Sequence, residues 1–324
     1  MLEVDARVIE LLKKGVTLQK LKSKTGMYSS DVVKKIHSLE DRGYLIDRIF
    51  NEYGVKFKLA EAPIVALQDN VVIPIESKFT FLVISDTHLG NIYENVAMLN
   101  KVYEYAEMNN IRYIFHLGDM IEGQALENQS QARIKRLDIH DQVDFLTKNY
   151  PKSDSVTTLY ILGNHDYRSV PNGIDISRTI SKRRLDMHFL GYKNSRITIG
   201  NRTVLLHHPF TIVNDQKYDD EIKELYLNPE FDLVLRGHTH HNGIYTNEMD
   251  SIVLNVPACY NSPSRMYTGA YEITFKNDEL LLQSLILSNE VYPFTSIKYE
   301  LKPKQLIKSP ESRIDKFNSR YKRK

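Results

Sequence analysis

Five runs of β-forming residues each end directly in side chains of the kinds that bind metal ions, and this recurrence constrains the fold more than any other feature. The runs occupy residues 79–84, 113–117, 157–162, 203–206 and 233–235. The polar residues that follow them are Asp86 and His88, then Asp119, then Asn164, His165 and Asp166, then His207 and His208, and finally His238 and His240. Polar sites in layered α/β sheets commonly lie at the carboxyl ends of strands. The pattern therefore predicts an α/β protein whose strand ends converge on one site.

The residue types at these five strand ends suit divalent cations. A single histidine after a strand is more often a structural residue than a ligand, and one Asp-x-His motif is weak evidence. As a set, however, these strand ends carry enough ligand-type residues for two ions. Two of the aspartates, the asparagine and four of the histidines would supply mixed oxygen and nitrogen ligands. The complete set predicts a two-metal hydrolase centre.

The motifs, taken in order, resemble those of the calcineurin-like metallophosphoesterase superfamily. They are Asp86-x-His88, Gly118-Asp119, Gly163-Asn164-His165-Asp166, His207 and Gly237-His238-x-His240. The resemblance extends over residues 79–262 and implies a four-layer α/β/β/α sandwich. Further β-forming runs at 251–256, 269–275 and 280–286 support the second sheet of such a sandwich.

The resemblance also implies which residues bind the metal ions. One ion is expected at Asp86, His88 and His240, the other is expected at Asn164, His207 and His238, and Asp119 is expected to bridge both. His207 is preferred to His208 as the ligand because His207 directly follows its strand. His208 is expected either to face the substrate or to be a packing residue. An oxygen-rich site without thiolates favours Mn²⁺, and Fe, Zn and Ni stay open as alternatives.

Catalysis is expected to depend on His165 and Asp166, since His165 is not a metal ligand in that superfamily. His165 is placed to protonate the leaving oxygen or to stabilise charge on the phosphoryl group, with Asp166 orienting its imidazole. The resemblance implies a hydroxide between the two ions as the nucleophile.

Departures from the superfamily pattern favour one of its branches. Protein Ser/Thr phosphatases continue the second motif with an Asp-Arg-Gly block whose arginine holds phosphate, whereas this chain reads Met120-Ile121-Glu122-Gly123. Its third motif is Gly-Asn-His-Asp, as is common among the phosphodiesterases and DNA-repair nucleases of the superfamily. Those enzymes usually carry aspartate where Glu122 stands. The motifs therefore favour a phosphodiesterase or a nuclease.

The first 60 residues predict a small helical unit. Apolar spacing indicates helices near residues 4–12, 17–24 and 29–42, and a hairpin whose turn lies near residues 51–54. Three helices followed by a hairpin resemble a winged helix-turn-helix module, with residues 29–42 as the recognition helix. Lys34 and Lys35 on that helix would contact nucleic acid. They would otherwise be part of an ordinary solvated helix face.

Charge is distributed unevenly along the chain. The net charge is +2, with +4 in residues 1–60, −9 in residues 61–300 and +7 in residues 301–324. An acidic middle between basic ends suits a core that binds cations while its ends approach a polyanion. We therefore predict a module at 1–60, a connecting segment at 61–78, a catalytic domain at 79–300 and a basic tail at 301–324. Further phosphate contacts are predicted at Arg133, Arg136 and Arg168, each of which could equally be an ordinary surface charge.

The sequence contains no apolar stretch of the length that crosses a bilayer, and its beginning does not have the order of a secretory signal. A single cysteine, Cys259, fits a reducing compartment, so a cytoplasmic protein without a membrane partner is expected. The leading hypothesis is a two-metal phosphodiesterase, a nuclease acting on DNA. The alternatives are a phosphomonoesterase acting on a small molecule or protein, and a DNA-binding regulator with a non-catalytic metal site. A homodimer or a partner ATPase stays open.

Overall fold

The structure is a computed structural model of the 324-residue chain. It describes residues 2–42, 44, 46–59, 70–124, 132–168, 175–209, 230–246, 251–261, 268–287 and 291–301. The predicted basic tail at 301–324 lies outside the described residues except for Leu301. None of the helices in the described ranges is both long and apolar enough to cross a bilayer.

The N-terminal unit contains three helices and a three-stranded sheet. Its elements in chain order are α1 (Leu2–Lys13), β1 (Val16–Thr17), α2 (Leu18–Thr25), α3 (Ser29–Asp41), β2 (Ile46–Asn51) and β3 (Gly54–Leu59), with sheet order β1-β3-β2. The Thr17 side chain accepts a hydrogen bond from the backbone N–H of Lys20 and caps α2, which ends at Gly26 in the left-handed conformation. The three helices and the hairpin predicted from the sequence are all present.

The rest of the described chain contains a seven-stranded and a six-stranded sheet. The seven-stranded sheet has the order β16-β15-β14-β5-β6-β7-β8. Its strands are β5 (Lys78–Ile84), β6 (Tyr113–Leu117), β7 (Thr157–Leu162), β8 (Met187–Tyr192), β14 (Thr268–Lys276), β15 (Glu279–Leu287) and β16 (Val291–Glu300). Strands β5 to β8 are parallel, so their carboxyl ends lie at one edge of the sheet.

The six-stranded sheet has the order β12-β13-β11-β10-β9-β4. Its strands are β4 (Asn70–Ile73), β9 (Asn194–Ile199), β10 (Arg202–His207), β11 (Leu233–Arg236), β12 (Gly243–Thr246) and β13 (Ile252–Asn255). Strand β4 pairs with β9 although it lies in the predicted connecting segment. That part of the connecting segment therefore belongs to the sandwich.

The two sheets face each other across one hydrophobic core. Phe81 and Phe115 from the seven-stranded sheet are fully buried in the same cluster as Leu206 and Leu235 from the six-stranded sheet. Helices cover the other face of the seven-stranded sheet: α4 (Val96–Met108), α5 (Ile139–Asn149) and α7 (Ile176–Arg183). Between α5 and α7, the one-turn helix α6 (Asn164–Tyr167) begins shortly after β7. The described residues thus show an α/β/β arrangement. The helical layer predicted on the outer face of the six-stranded sheet lies outside them.

The N-terminal unit is packed against the amino-terminal ends of the parallel strands. Tyr113, the first residue of β6, donates a hydrogen bond from its hydroxyl to the carbonyl oxygen of Asn51 at 2.6 Å. His188 in β8 meets the ring of Phe50 edge-on, with 5.5 Å between centroids. Lys22 forms an ion pair with Asp154, just before β7. The unit therefore contacts the sandwich at the end opposite to the carboxyl ends of these strands.

Candidate metal centre

Polar residues from both sheets converge at the carboxyl ends of their parallel strands. Asp86, Asp119 and Asn164 follow the neighbouring strands β5, β6 and β7. His208 follows β10, and His238 and His240 follow β11, which is parallel to β10. Gly163 allows the close approach, because a β-carbon there would collide with the carboxylate of Asp119 and the ring of His208.

Several of these residues have an unusual backbone conformation. Eight non-glycine residues of the described chain have positive φ, and five of them are predicted ligands: Asp86, His88, Asp119, His238 and His240. Positive φ in a residue with a side chain costs of order 1–3 kcal/mol and concentrates at functional sites. Backbone hydrogen bonds of 3.0 Å from Asp86 to Gly118 and from His88 to Asp119 hold the first loop in this form. Most of the strained non-glycine residues in the described chain thus lie in the loops that present the ligands.

The first ligand group consists of Asp86, His88 and His240. Their ligand atoms lie within 4.8 Å of one another. His240 Nε2 is 3.0 Å from Asp86 Oδ1 and 3.3 Å from His88 Nε2. All three residues were predicted to bind the same ion, and the structure brings them together.

The second ligand group contains Asn164, His208 and His238. Asn164 Oδ1 lies 3.1 Å from His208 Nε2 and 2.9 Å from His238 Nδ1. The Nε2 atom of His238 is buried and has no hydrogen-bond partner among the described residues. A nitrogen in this position is available as a ligand.

Asp119 lies between the two groups. Its Oδ2 atom is 3.2 Å from His208 Nε2 and 3.9 Å from His88 Nε2. Burial alone would raise the pKa of Asp119, but His208, His165 and His88 hold it well below its usual value. Asp119 is therefore a carboxylate at neutral pH. A shared carboxylate between two sets of oxygen and nitrogen donors fits two divalent cations.

The preference for His207 over His208 is not supported by the geometry. Strand β10 extends through His207, whose ring contacts the side chain of Asn194 on β9. Side chains alternate along a strand, so His207 shares the outer face with Leu205, whereas Leu206 points into the core between the sheets. His208 comes one residue later and reaches Asp119. The structure thus places His208, not His207, in the second group.

The orientation of His165 also differs from the prediction. Its Nδ1 atom lies 2.6 Å from the carbonyl oxygen of Glu122, which can only accept, so Nδ1 carries the proton. The Asp166 carboxylate instead accepts backbone hydrogen bonds from Met120, Ile121 and Gly163. Asp166 therefore holds the second and third motif loops together, and the Glu122 carbonyl orients the imidazole.

Glu122 has a clear position despite being longer than the aspartate expected there. Its carboxylate lies 3.0 Å from His88 Nδ1 and accepts a hydrogen bond of 2.9 Å from Asn91 Nδ2. Carboxylates that contact the distal nitrogen of a ligating histidine fix its ring and raise its basicity. Glu122 thus positions His88, and a third group of ligand-type atoms combines Glu122, His88 and His165.

The basic residues predicted to contact substrate occupy different environments. Arg136 pairs with both carboxylate oxygens of Glu94, at 2.8 and 2.7 Å, and lies over the ring of Phe145, so it is a structural residue. Arg133, by contrast, is exposed. The Arg168 Nη1 atom is 3.2 Å from His165 Nδ1, at the centre itself. Lys34 is exposed and Lys35 half-buried on α3, in the unit that packs at the other end of the strands.

Metal binding is expected to release about two protons per molecule at pH 7.5. Burial disfavours the cationic forms of His88 and His208, but the carboxylates of Glu122, Asp119 and Asp86 outweigh it and raise the pKa of each histidine to about 9. The pKa of His238 is instead lowered to about 4 by burial, so His238 is already neutral. A ligating histidine must be neutral, so both raised histidines lose a proton.

Calorimetric titration of Mn²⁺ into metal-free protein, in buffers of different ionisation enthalpy, measures this release. The number of protons should fall as the pH approaches 9. A heat of binding that does not depend on the buffer would contradict the prediction.

The chain is similar to one known protein family and to several solved structures. The family model of calcineurin-like phosphoesterases matches residues 79–242. No curated protein matches the chain significantly. A predicted phosphoesterase from Streptococcus pneumoniae TIGR4 is 16% identical, with a TM-score of 0.40 over 70% of this chain and 99% of that chain. An archaeal phosphodiesterase is 13% identical, with a TM-score of 0.44 over 64% and 100%. Vps29 from Chaetomium thermophilum is 13% identical, with a TM-score of 0.43 over 71% and 100%.

The family match covers just over half of the chain and includes all five strand ends that carry the predicted ligands. The chain therefore belongs to the calcineurin-like phosphoesterase family.

Proposed function

We propose that the protein is a two-metal phosphodiesterase and, more specifically, a nuclease that acts on DNA. The observation that carries the proposal is the position of Asp119 between the two ligand groups, with His165 beside it. The backbone N–H of His165 donates a hydrogen bond of 2.8 Å to Asp119 Oδ1, and His165 Nε2 lies 4.0 Å from Oδ2. Bound divalent ions would acidify water and neutralise charge on a phosphate at this point.

The residues around His165 prepare it for proton transfer. Because Nδ1 donates to Glu122, Nε2 is the nitrogen that can accept and release a proton, and it faces the centre. Burial lowers the pKa of His165, so the ring is neutral until a negative group comes close to it. A phosphodiester beside Nε2 would favour its protonation and so prepare an acid for the leaving oxygen.

Two features support a diester rather than a phosphoprotein as the substrate. Glu122 stands where related enzymes carry aspartate. The next residue, Gly123, stands where the protein phosphatases have their phosphate-binding arginine. Its φ is +72°, and a β-carbon there would collide with the carbonyl oxygen of His165. The second motif therefore cannot present a phosphate-binding side chain at this point. Arg168, two residues after the third motif, brings a guanidinium to His165 instead.

The N-terminal unit supports nucleic acid as the partner. Residues 11–30 contain five lysines and no acidic residue. Lys13, Lys20 and Lys24 are exposed, and we call them the lysine surface. Lys22 points the other way, toward Asp154. The acidic neighbour of this stretch is Glu10, which pairs with Lys14 and lies near Lys13, so the lysines remain in excess. An excess of positive charge attracts a phosphate backbone.

The test is a substrate comparison on protein that has been stripped of metal and reloaded with Mn²⁺, Fe²⁺, Zn²⁺ or Ni²⁺. The substrates are bis-p-nitrophenyl phosphate, p-nitrophenyl phosphate, and end-labelled single-stranded and duplex DNA and RNA. We expect kcat/KM to be higher for the diester than for the monoester, and DNA to be cut in the presence of Mn²⁺. Replacing Lys20 and Lys24 by glutamate should flatten the salt dependence on long DNA and leave turnover of the small diester unchanged.

Two outcomes would replace the proposal. A strong preference for the monoester would indicate a phosphomonoesterase. Specific DNA binding without hydrolysis under any of these ions would indicate a regulator.

A further inference from the structure

Tyr260 lies against the first ligand group, and none of the sequence motifs includes it. Its ring centroid is 4.8 Å from that of His88, at an interplanar angle of 56°, and 5.5 Å from that of His240, at 82°. The tyrosine ring is thus in contact with two predicted ligands of the same ion. The His88 ring also meets the ring of His165 edge-on, with 4.6 Å between centroids.

Exposure shows which of these rings faces solvent. The side chain of His88 is only 3% exposed, whereas those of His240 and His165 are 15% and 21% exposed. Tyr260 is half-buried. Three partly exposed rings, those of Tyr260, His240 and His165, are thus in contact with the buried ring of His88. A phosphate that reached the first ligand group from solvent would lie beside them.

The segment that carries Tyr260 is held firmly by the loops of the site. The backbone N–H of Cys259 donates to the carbonyl of Ser85 at 2.8 Å, and that of Asn261 donates to the carbonyl of Tyr93 at 3.0 Å. Ala258 also forms a bridge to Ser85, next to Asp86. The backbone on both sides of Tyr260 is therefore fixed relative to the ligand group, as the support of an element that selects substrates must be.

We propose that Tyr260 determines substrate specificity by receiving the nucleobase attached to the phosphate that is bound at the first ligand group. The inference rests on the proposed hydrolysis of a nucleic-acid diester. An aromatic ring beside the phosphate position stacks on any base, since every base has a π-face, and so gives affinity without reading sequence. A ring that only packed against His88 and His240 would affect metal binding and would not distinguish ligands with a base from those without one.

The test compares two phosphate ligands on Mn²⁺-loaded protein by calorimetry. Thymidine 5′-monophosphate carries a base, and methyl phosphate does not. We expect Tyr260→Ala to weaken binding of the nucleotide about 10-fold, the effect of one base–aromatic stack, with little change for methyl phosphate. Tyr260→Phe should bind both ligands like the unmodified protein. Metal content, measured by mass spectrometry, should be the same in every variant, and Tyr28→Ala, an 80% exposed tyrosine in the N-terminal unit, is the matched control.

Each other outcome would overturn the inference. Equal weakening of both ligands, or loss of metal in Tyr260→Ala and Tyr260→Phe, would make Tyr260 a packing residue. If Tyr260→Ala bound the nucleotide as tightly as the unmodified protein, Tyr260 would have no role in base binding, although the proposed diester hydrolysis could still be correct. If neither ligand bound to the unmodified, metal-loaded protein, the proposed function itself would fail.

Discussion

Replacing Asp119 by alanine is expected to lower kcat for bis-p-nitrophenyl phosphate by about 1,000-fold or more. Metal ions contribute several kcal/mol of transition-state stabilisation in such centres, and Asp119 is the carboxylate that both ligand groups share. We therefore expect kcat, measured by steady-state kinetics, and metal content, measured by mass spectrometry, to decrease together.

Two histidine variants sharpen this expectation. His165→Ala should lower turnover while both ions remain bound, because His165 approaches the centre without belonging to either of the two ligand groups that share Asp119. The loss should be smaller with a nitrophenolate leaving group, which needs little protonation, than with DNA. His207→Ala is the matched control, since His207 lies on the outer face of β10, and its metal content should be unchanged. Full activity of Asp119→Ala would exclude the two-metal assignment.

Replacing Phe57 by alanine is expected to destabilise the whole chain by about 3–5 kcal/mol. Phe57 lies in β3 of the N-terminal unit and is 1% exposed, in the same hydrophobic cluster as Phe79 and Tyr113 of the seven-stranded sheet. The cavity would therefore open at the junction of the unit and the sandwich. We expect a single thermal transition, lowered by about 10 °C, in both circular dichroism and loss of diesterase activity.

The neighbouring residue provides the control. Lys56 is exposed on the same strand, and Lys56→Ala should not change the midpoint. Two separate transitions, with activity surviving the first, would show that the N-terminal unit unfolds independently. The same shared core makes deletion of residues 1–60 unsuitable for measuring the contribution of the unit to DNA binding, because deletion would expose apolar residues of the sandwich.

Much of the site could be predicted because most of its ligands occur in short local motifs. Asp86, His88, Asp119, Asn164, His238 and His240 each follow a run of β-forming residues, and parallel strands bring such ends together. The choice between His207 and His208 failed for a related reason. It depended on the face that the last strand residue presents, and β10 extends one residue further than the apolar run indicated.

Other features depend on contacts that are distant in sequence. Asp166 binds backbone N–H groups of the second motif, more than 40 residues away, and the pairing of Arg136 with Glu94 likewise joins two separate loops. Strand β4 has only four residues and obtains its place from pairing with β9. Neither apolar periodicity nor local charge contains this information. The positive φ of the ligands could not be predicted either, because aspartate and histidine, unlike glycine, do not favour this conformation.

The N-terminal unit is attached at the amino-terminal ends of the strands. This position sets a minimum length for any ligand that contacts both the lysine surface and the metal centre. The unit meets β6 at its first residue, Tyr113, whereas Asp119 lies just beyond the last residue of that strand. Five residues of strand extend over about 16 Å. A polymer held at both the lysine surface and the metal centre must run along the flank of the sandwich for at least this distance. Mononucleotides are too short to do so, and short fragments would dissociate from one of the two surfaces as soon as they were produced.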